Sequence, residues 1–206
     1  MREMNVTFVS VNRVFMITVF ALLAAGFATN VFAQEIDGRL PQQDVSKSRQ
    51  TPYGLYLKPV DAYKALKENP DIVLIDVRDP MEISFIGHPE PMDSNVPLRT
   101  ITRQFDPRRG GYKMAANDAF VDQVDALMKR LGLSKSDPVF VSCRSGPRSA
   151  RAARLLFEAG YIEVWNLVEG FEGSIDPETG ARTRDGWRNA GLPWRYKIRD
   201  GAEWRP

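Results

Sequence analysis

Two short, unbroken apolar runs constrain this chain more than any other feature. They are "DIVLIDVR" (Asp71–Arg78) and "DPVFVSC" (Asp137–Cys143). Both are rich in β-branched residues, and neither alternates apolar with polar. Strands of this kind are buried on both faces, as in the interior of a parallel sheet. Each is surrounded by segments of helical spacing. "PVDAYKALKENP" opens with Pro59 and closes at Asn69-Pro70, which predicts a short helix. "AFVDQVDALMKRL" follows Asn117 or Asp118 as cap, with Phe120, Val124, Leu127, Met128 and Leu131 on one face and Gly132 at its end. Arg148 to Ala159 predicts another helix, and Gly160 suits its left-handed end. "GLYL" (Gly54–Leu57) reads as an edge strand and "IEVWNLVEG" as a later one. Strands alternating with helices predict an α/β fold, with a mainly parallel central sheet.

The chain ends differ from this middle. Val14 to Ala28 form an apolar run after Arg2 and Arg13, and "VFA" ends at Ala33. This predicts an exported, periplasmic protein whose signal peptide (residues 1–33) is cleaved after Ala33. The alternative is a retained anchor, but the run of about 15 residues falls short of the ~20 that cross a bilayer. The mature form is therefore expected not to span a membrane. Residues 34–53 are polar and read as a flexible lead-in. Residues 79–116, rich in Pro, Gly and Asp, read as irregular. The segment 175–206 carries Trp187, Trp194 and Trp204. So much apolar area favours packing on the domain (54–174), with a partner-docking surface as the alternative. The 28 basic and 26 acidic residues nearly balance, which gives no reason to expect nucleic acid as a partner.

Cys143 is the only cysteine in the chain, so it has no disulfide partner there. It ends the second apolar run, at the strand end where open α/β sheets bind ligands. Cys143-Arg144-Ser145-Gly146-Pro147-Arg148 then leads into a helix. Gly146 tolerates unusual backbone angles, and Pro147 suits the first helical position. Such a turn can aim backbone N–H groups at the sulfur, and the helix N-terminus adds partial positive charge. Arg144 and Arg148 add full charges. These effects favour thiolate over thiol and attract an anionic substrate. An inert buried cysteine is the alternative, but it leaves the Gly-Pro turn and the flanking charges unexplained. Arg151 and Arg154 read as the solvated helix face. His88 is the only histidine, which leaves one His and one Cys for any transition-metal site, so no metal is expected. There is no P-loop, and no cofactor is expected.

"CRSGPRS" (Cys143–Ser149) resembles the active-site loop of the rhodanese (sulfurtransferase) family. "LIDVRDPMEISFIGH" (Leu74–His88) resembles that family's earlier Asp-x-Arg, Glu and Gly-His motif, "SNVPL" its next segment, and "GYIEVWNLVEGFEGS" the sequence after its active-site helix. The resemblance spans about residues 55–174. Pro89 to Pro91 depart from the pattern, and 99–116 look like an insertion. The resemblance implies a rhodanese-like sheet with helices on both faces. It implies Cys143 as nucleophile, carrying sulfur as a persulfide from a small anionic donor such as thiosulfate to cyanide, a thiol or a protein acceptor. Arg144, Ser145, Gly146, Arg148 and Ser149 would bind substrate. Asp76, Arg78, Gly87 and His88 would be structural. Two other readings remain: a sulfur carrier or partner-binding module without turnover, and a phosphatase or arsenate reductase. The latter's loops place five residues between Cys and Arg, where four separate Cys143 from Arg148.

Overall fold

The computed structural model describes residues 35–206, so the expected signal peptide lies outside the described residues. The two apolar runs become adjacent strands. β1 (Tyr56–Leu57) is followed by helix α1 (Pro59–Glu68) and β2 (Val73–Asp76). Then come α2 (Pro80–Ile86), β3 (His88–Pro89), β4 (Ser94–Asn95), β5 (Arg99–Asp106) and β6 (Gly111–Ala116). The chain continues through α3 (Phe120–Leu131), β7 (Val139–Ser142), α4 (Pro147–Glu158), β8 (Val164–Leu167) and β9 (Trp194–Arg195). Five strands form one parallel sheet in the order β1-β8-β7-β2-β4. The register pairs Val73 with Val139 and Asp76 with Ser142. The residues after β2 and after β7 therefore emerge side by side at one end of the sheet.

Strand alternation divides the core. Val73, Ile75, Val77, Val139, Val141 and Cys143 face one side, where they pack with Phe120, Val124, Leu127 and Met128 of α3 and Ala152, Ala153 and Leu156 of α4. Leu74, Phe140, Trp165 and Leu167 face the other, against Ala62 and Ala65 of α1 and against Phe171 and Trp187. Helices thus cover both faces, the α/β arrangement that the apolar runs demand. Alanines on α4 let that helix lie close to the strand that carries Cys143. Leu131, expected on the buried face of α3, is instead exposed, because Gly132 ends the helix there with φ 74°.

Two segments differ from expectation. The lead-in, expected to be flexible, packs on the domain. Val45 is buried with Tyr56 and Val168, Thr51 N–H donates to the Tyr56 hydroxyl, and the Arg49 carbonyl accepts from Asn166 Nδ2 at 2.7 Å. Residues 79–116 are ordered rather than irregular. Asp79 accepts from Met81 N–H while Glu82 accepts from Asp79 N–H, a capping box that starts α2. β5 and β6 form an antiparallel hairpin with Ile101, Phe105 and Tyr112 exposed. The tail returns to the domain. Trp187 is fully buried, edge-on to Tyr63. Trp194 lies on β9, which pairs with β3, and Trp204 Nε1 donates to Gln123. Among the described residues no helix is long and apolar enough to cross a membrane.

Candidate active site

The loop after β7 is held from outside by the chain that follows β8. Phe171 N–H donates to the Cys143 carbonyl at 2.7 Å. Glu172 and Gly173 N–H both donate to the Arg144 carbonyl, at 3.0 and 3.1 Å. Two glycines permit this approach. Gly146 has φ 101°, and a Cβ there would lie 2.2 Å from the Val168 carbonyl oxygen. A Cβ on Gly170 would lie 2.4 Å from the Cys143 oxygen. Any side chain at either place would force the two segments apart.

The sulfur of Cys143 sits under this loop, with the residue only 1% exposed. Gly146 N–H donates to Sγ at 3.1 Å, and Ser149 Oγ lies 3.3 Å away. The Ser149 hydroxyl has three possible acceptors for its one proton: Sγ, the Gly146 carbonyl at 2.9 Å and Asn166 Oδ1 at 2.6 Å. Asn166 is oriented by its own bond to the Arg49 carbonyl. Ser149 can thus accept from a thiol or donate to a thiolate by turning one hydroxyl. Gly146 caps α4 without a side-chain hydrogen bond. The N–H groups of Arg144, Ser145, Arg148 and Ser149 find no backbone acceptor among the described residues. The loop is therefore a set of free donors at the positive end of a helix, a cradle for negative charge.

The two loop arginines each meet a carboxylate from another element. Arg148 forms a two-pronged pair with Glu82 on α2, Nη1 to Oε2 at 2.6 Å and Nη2 to Oε1 at 2.7 Å. Burial works against the Arg148 charge, but the Glu82 carboxylate outweighs it and raises the Arg148 pKa. Burial likewise opposes the Glu82 charge, and the hydrogen bonds and charge of Arg148 prevail, holding its carboxyl below the usual range. Arg144 Nε lies 3.0 Å from Glu172 Oε1. Each loop arginine thus stands beside a carboxylate brought in from another element. Ser145 stands half-buried at the rim, and Arg151 and Arg154 are exposed.

The neighbouring loop, after β2, is closed on itself. Asp76 and Arg78 are fully buried and joined at 2.7 Å. Arg78 also donates to the Gly87 carbonyl at 2.8 Å and lies over the Phe171 ring. Asn95 Nδ2 ties the carbonyls of Asp76 and Arg78 together. Gly87 has φ 93°, and a Cβ there would strike Trp194 at 2.7 Å. His88 is buried, with Nδ1 2.8 Å from the Pro89 carbonyl, and makes no hydrogen bond to Cys143. These four residues frame the site rather than enter it. Among the described residues no group of His, Cys, Asp or Glu is arranged to hold a metal ion.

Sequence reasoning missed Asn166 and Glu172 as members of this site. They lie within the stretch that resembles the family's sequence after the active-site helix, but no spacing there marks either as a partner of the cysteine loop, which they approach from β8 and the turn beyond it. Glu82 did have a local signal, the Asp79-x-x-Glu82 spacing of a capping box.

A protein of Mycobacterium tuberculosis, Rv0390, is 34% identical in its crystal structure, with a TM-score of 0.54 over 70% of this chain and 99% of that one. An uncharacterised protein of Rickettsia prowazekii is 29% identical over 66% of this chain and 92% of its own length. The thiosulfate sulfurtransferase GlpE of Glaesserella parasuis is 27% identical over 59% of this chain and 87% of its own. The model of the rhodanese-like domain matches residues 59–175. That match takes in more than half of the chain, from α1 through the cysteine loop to the turn that pins it, and the protein belongs to the rhodanese-like family.

Proposed function

We propose that the protein is a sulfurtransferase that carries sulfane sulfur on Cys143. The observation that carries this reading is the cradle. One sulfur lies 3.1 Å from the Gly146 N–H at an uncapped helix N-terminus, in a loop whose Arg144, Ser145, Arg148 and Ser149 N–H groups have no backbone acceptor among the described residues. Such a site stabilises an anion that ends in sulfur. Similarity to a thiosulfate sulfurtransferase supports the same chemistry. The Cys143 thiolate attacks the outer sulfur of the donor. A new S–S bond forms, the donor S–S bond breaks, and its electron pair leaves with sulfite. The persulfide then gives its terminal sulfur to cyanide or a thiol, and the thiolate returns. Free N–H groups hold the charge at each stage. We further propose export to the periplasm with cleavage after Ala33, which N-terminal sequencing of protein from its own cell tests by a start at Gln34.

Incubation with thiosulfate should add roughly 32 daltons, one sulfur atom, at Cys143, and cyanide should remove it as thiocyanate. An unmodified mass after incubation contradicts the proposal. A persulfide that forms but is not discharged by cyanide or thiols marks a carrier instead of an enzyme.

A further inference from the structure

Four guanidinium groups gather at the cysteine loop, and two of them are spoken for. Arg148 is held by Glu82 and Arg144 by Glu172. The other two come from outside residues 59–175, the part that matches the family. Arg49 arrives from the lead-in. Its Cδ lies 3.0 Å from where a Cβ on Gly146 would stand, and its Nη2 donates to Ser174 Oγ at 3.2 Å. Arg182 arrives from the tail. Its Nη1 donates to the Gly173 carbonyl, and the N–H of that same Gly173 donates to the Arg144 carbonyl. Arg182 thus stands one residue away from the loop backbone.

Neither Arg49 nor Arg182 pairs with a carboxylate among the described residues. The nearby Asp185 carboxylate is turned to Ser174, N–H and hydroxyl both. The Nε of Arg182 is shielded from solvent and has no acceptor. A buried donor left unmatched costs about 1–3 kcal/mol, so the Arg182 guanidinium retains unused donor capacity. Burial and the charge of Arg144 press the Arg182 pKa down, with Arg148 adding to them and Glu172 and Cys143 opposing. Arg49 and Arg182 thus bring two cations to the cysteine loop that form no ion pair among the described residues.

We propose that Arg182, with Arg49 beside it, docks the oxyanion end of the sulfur donor and holds the anion that leaves. The donor class is a thiosulfate or thiosulfonate, in which several oxygens surround the inner sulfur and the outer sulfur points at Cys143. The planar fork of arginine suits two oxygens at once. This inference rests on the sulfur-transfer reading. The step it serves is balanced: Cys143–S⁻ plus S–SO₃²⁻ gives Cys143–S–S⁻ plus SO₃²⁻. Arg182 moves no proton and no electrons; it offsets charge on the oxygens before and after the S–S bond breaks.

The test uses the mature full chain as wild type, R182A, R182K and R49A, with R184A as a nearby exposed control. Thiosulfate:cyanide transfer is measured with each substrate varied, together with inhibition by sulfite and transfer from methanethiosulfonate, which carries one negative charge instead of two. R182A should raise the thiosulfate KM about tenfold, the worth of one charge-assisted hydrogen bond, and weaken sulfite inhibition in parallel. The cyanide KM should stay within about twofold of wild type, and the loss should be smaller with methanethiosulfonate. R182K should retain part of the affinity, R49A should show a smaller loss of the same kind, and R184A should match wild type. Unchanged thiosulfate KM and sulfite inhibition in R182A overturn the inference while leaving sulfur transfer standing. A wild-type chain that never gains sulfur from thiosulfate overturns both. If thermal melting shows R182A unfolded, R182K and R49A decide the matter by the same two constants.

Discussion

Two loops leave the sheet side by side, after β2 and after β7, and they solve the same problem in opposite ways. Each runs from a buried strand through a few residues into a helix that begins with proline, Pro80 in one and Pro147 in the other. The β2 loop pairs its own charges and caps its own helix. Asp76 and Arg78 cancel each other's charge, and Asp79 and Glu82 cap α2. The β7 loop leaves its helix uncapped. Gly146 offers no side chain, and its N–H donates to a sulfur. Stability is concentrated in the first loop and reactivity in the second. The Glu82–Arg148 pair bridges them, so the structural loop positions the helix of the reactive one.

This contrast can be broken most sharply at the sulfur. Cys143→Ser should reduce sulfur transfer to background while the thermal midpoint stays near wild type. Thiocyanate production in the purified variant would contradict the assignment of Cys143. Gly146→Ala should follow, because its Cβ meets the Val168 carbonyl at 2.2 Å with φ 101°. A loss of about 3 kcal/mol or more in denaturant unfolding is expected, and a wild-type midpoint would show that the two segments separate freely. Asp79→Ala removes the α2 cap and the acceptor for Ile101 N–H. It should cost about 2 kcal/mol with a smaller effect on turnover than on stability. The reverse order would erase the division of labour between the loops.

The bridge itself has a pH signature. The folded pKa of Glu82 is depressed, so its contribution is present above the unfolded value of about 4.3 and is lost as pH falls through the folded value. Stability measured from pH 7 down to pH 3 should fall less steeply in Glu82→Gln than in wild type, from a lower starting level. Parallel curves would show that the pair contributes nothing to folding. Smallest of all, Arg154→Ala on the exposed face of α4 should stay within about 0.5 kcal/mol of wild type and transfer sulfur normally. A marked loss of transfer would extend the anion site along the helix.

Much of the sheet was legible because burial on both faces leaves a direct trace. An unbroken apolar run such as Ile72–Ile75 has few alternatives to an interior strand. α3 was legible by its stripe, Phe120 to Met128. The β5–β6 hairpin was not, because both its faces are largely exposed and its residues follow no apolar alternation. α2 is seven residues long, too short for periodicity, and only its capping box announced it. The lead-in looked unstructured because its anchoring depends on one buried valine and on backbone groups. Backbone carbonyls such as that of Arg49 leave no mark in composition.

At the site, sequence by itself determined the parts that are local. Cys143 ends a strand, Gly146 turns the chain, Pro147 starts the helix, and the N–H groups between them must converge because the backbone geometry of a strand–turn–helix brings them together. Tertiary structure decided where the charges go. Arg148 meets a glutamate 66 positions away, Arg144 meets Glu172 from beyond β8, and Arg182 and Arg49 arrive from opposite ends of the described chain. An arginine read in sequence is a free cation. Whether it stays one depends on which carboxylate the fold places within about 3 Å of it, because ion pairing falls off steeply with distance and rises with burial. Local spacing carries no information about either.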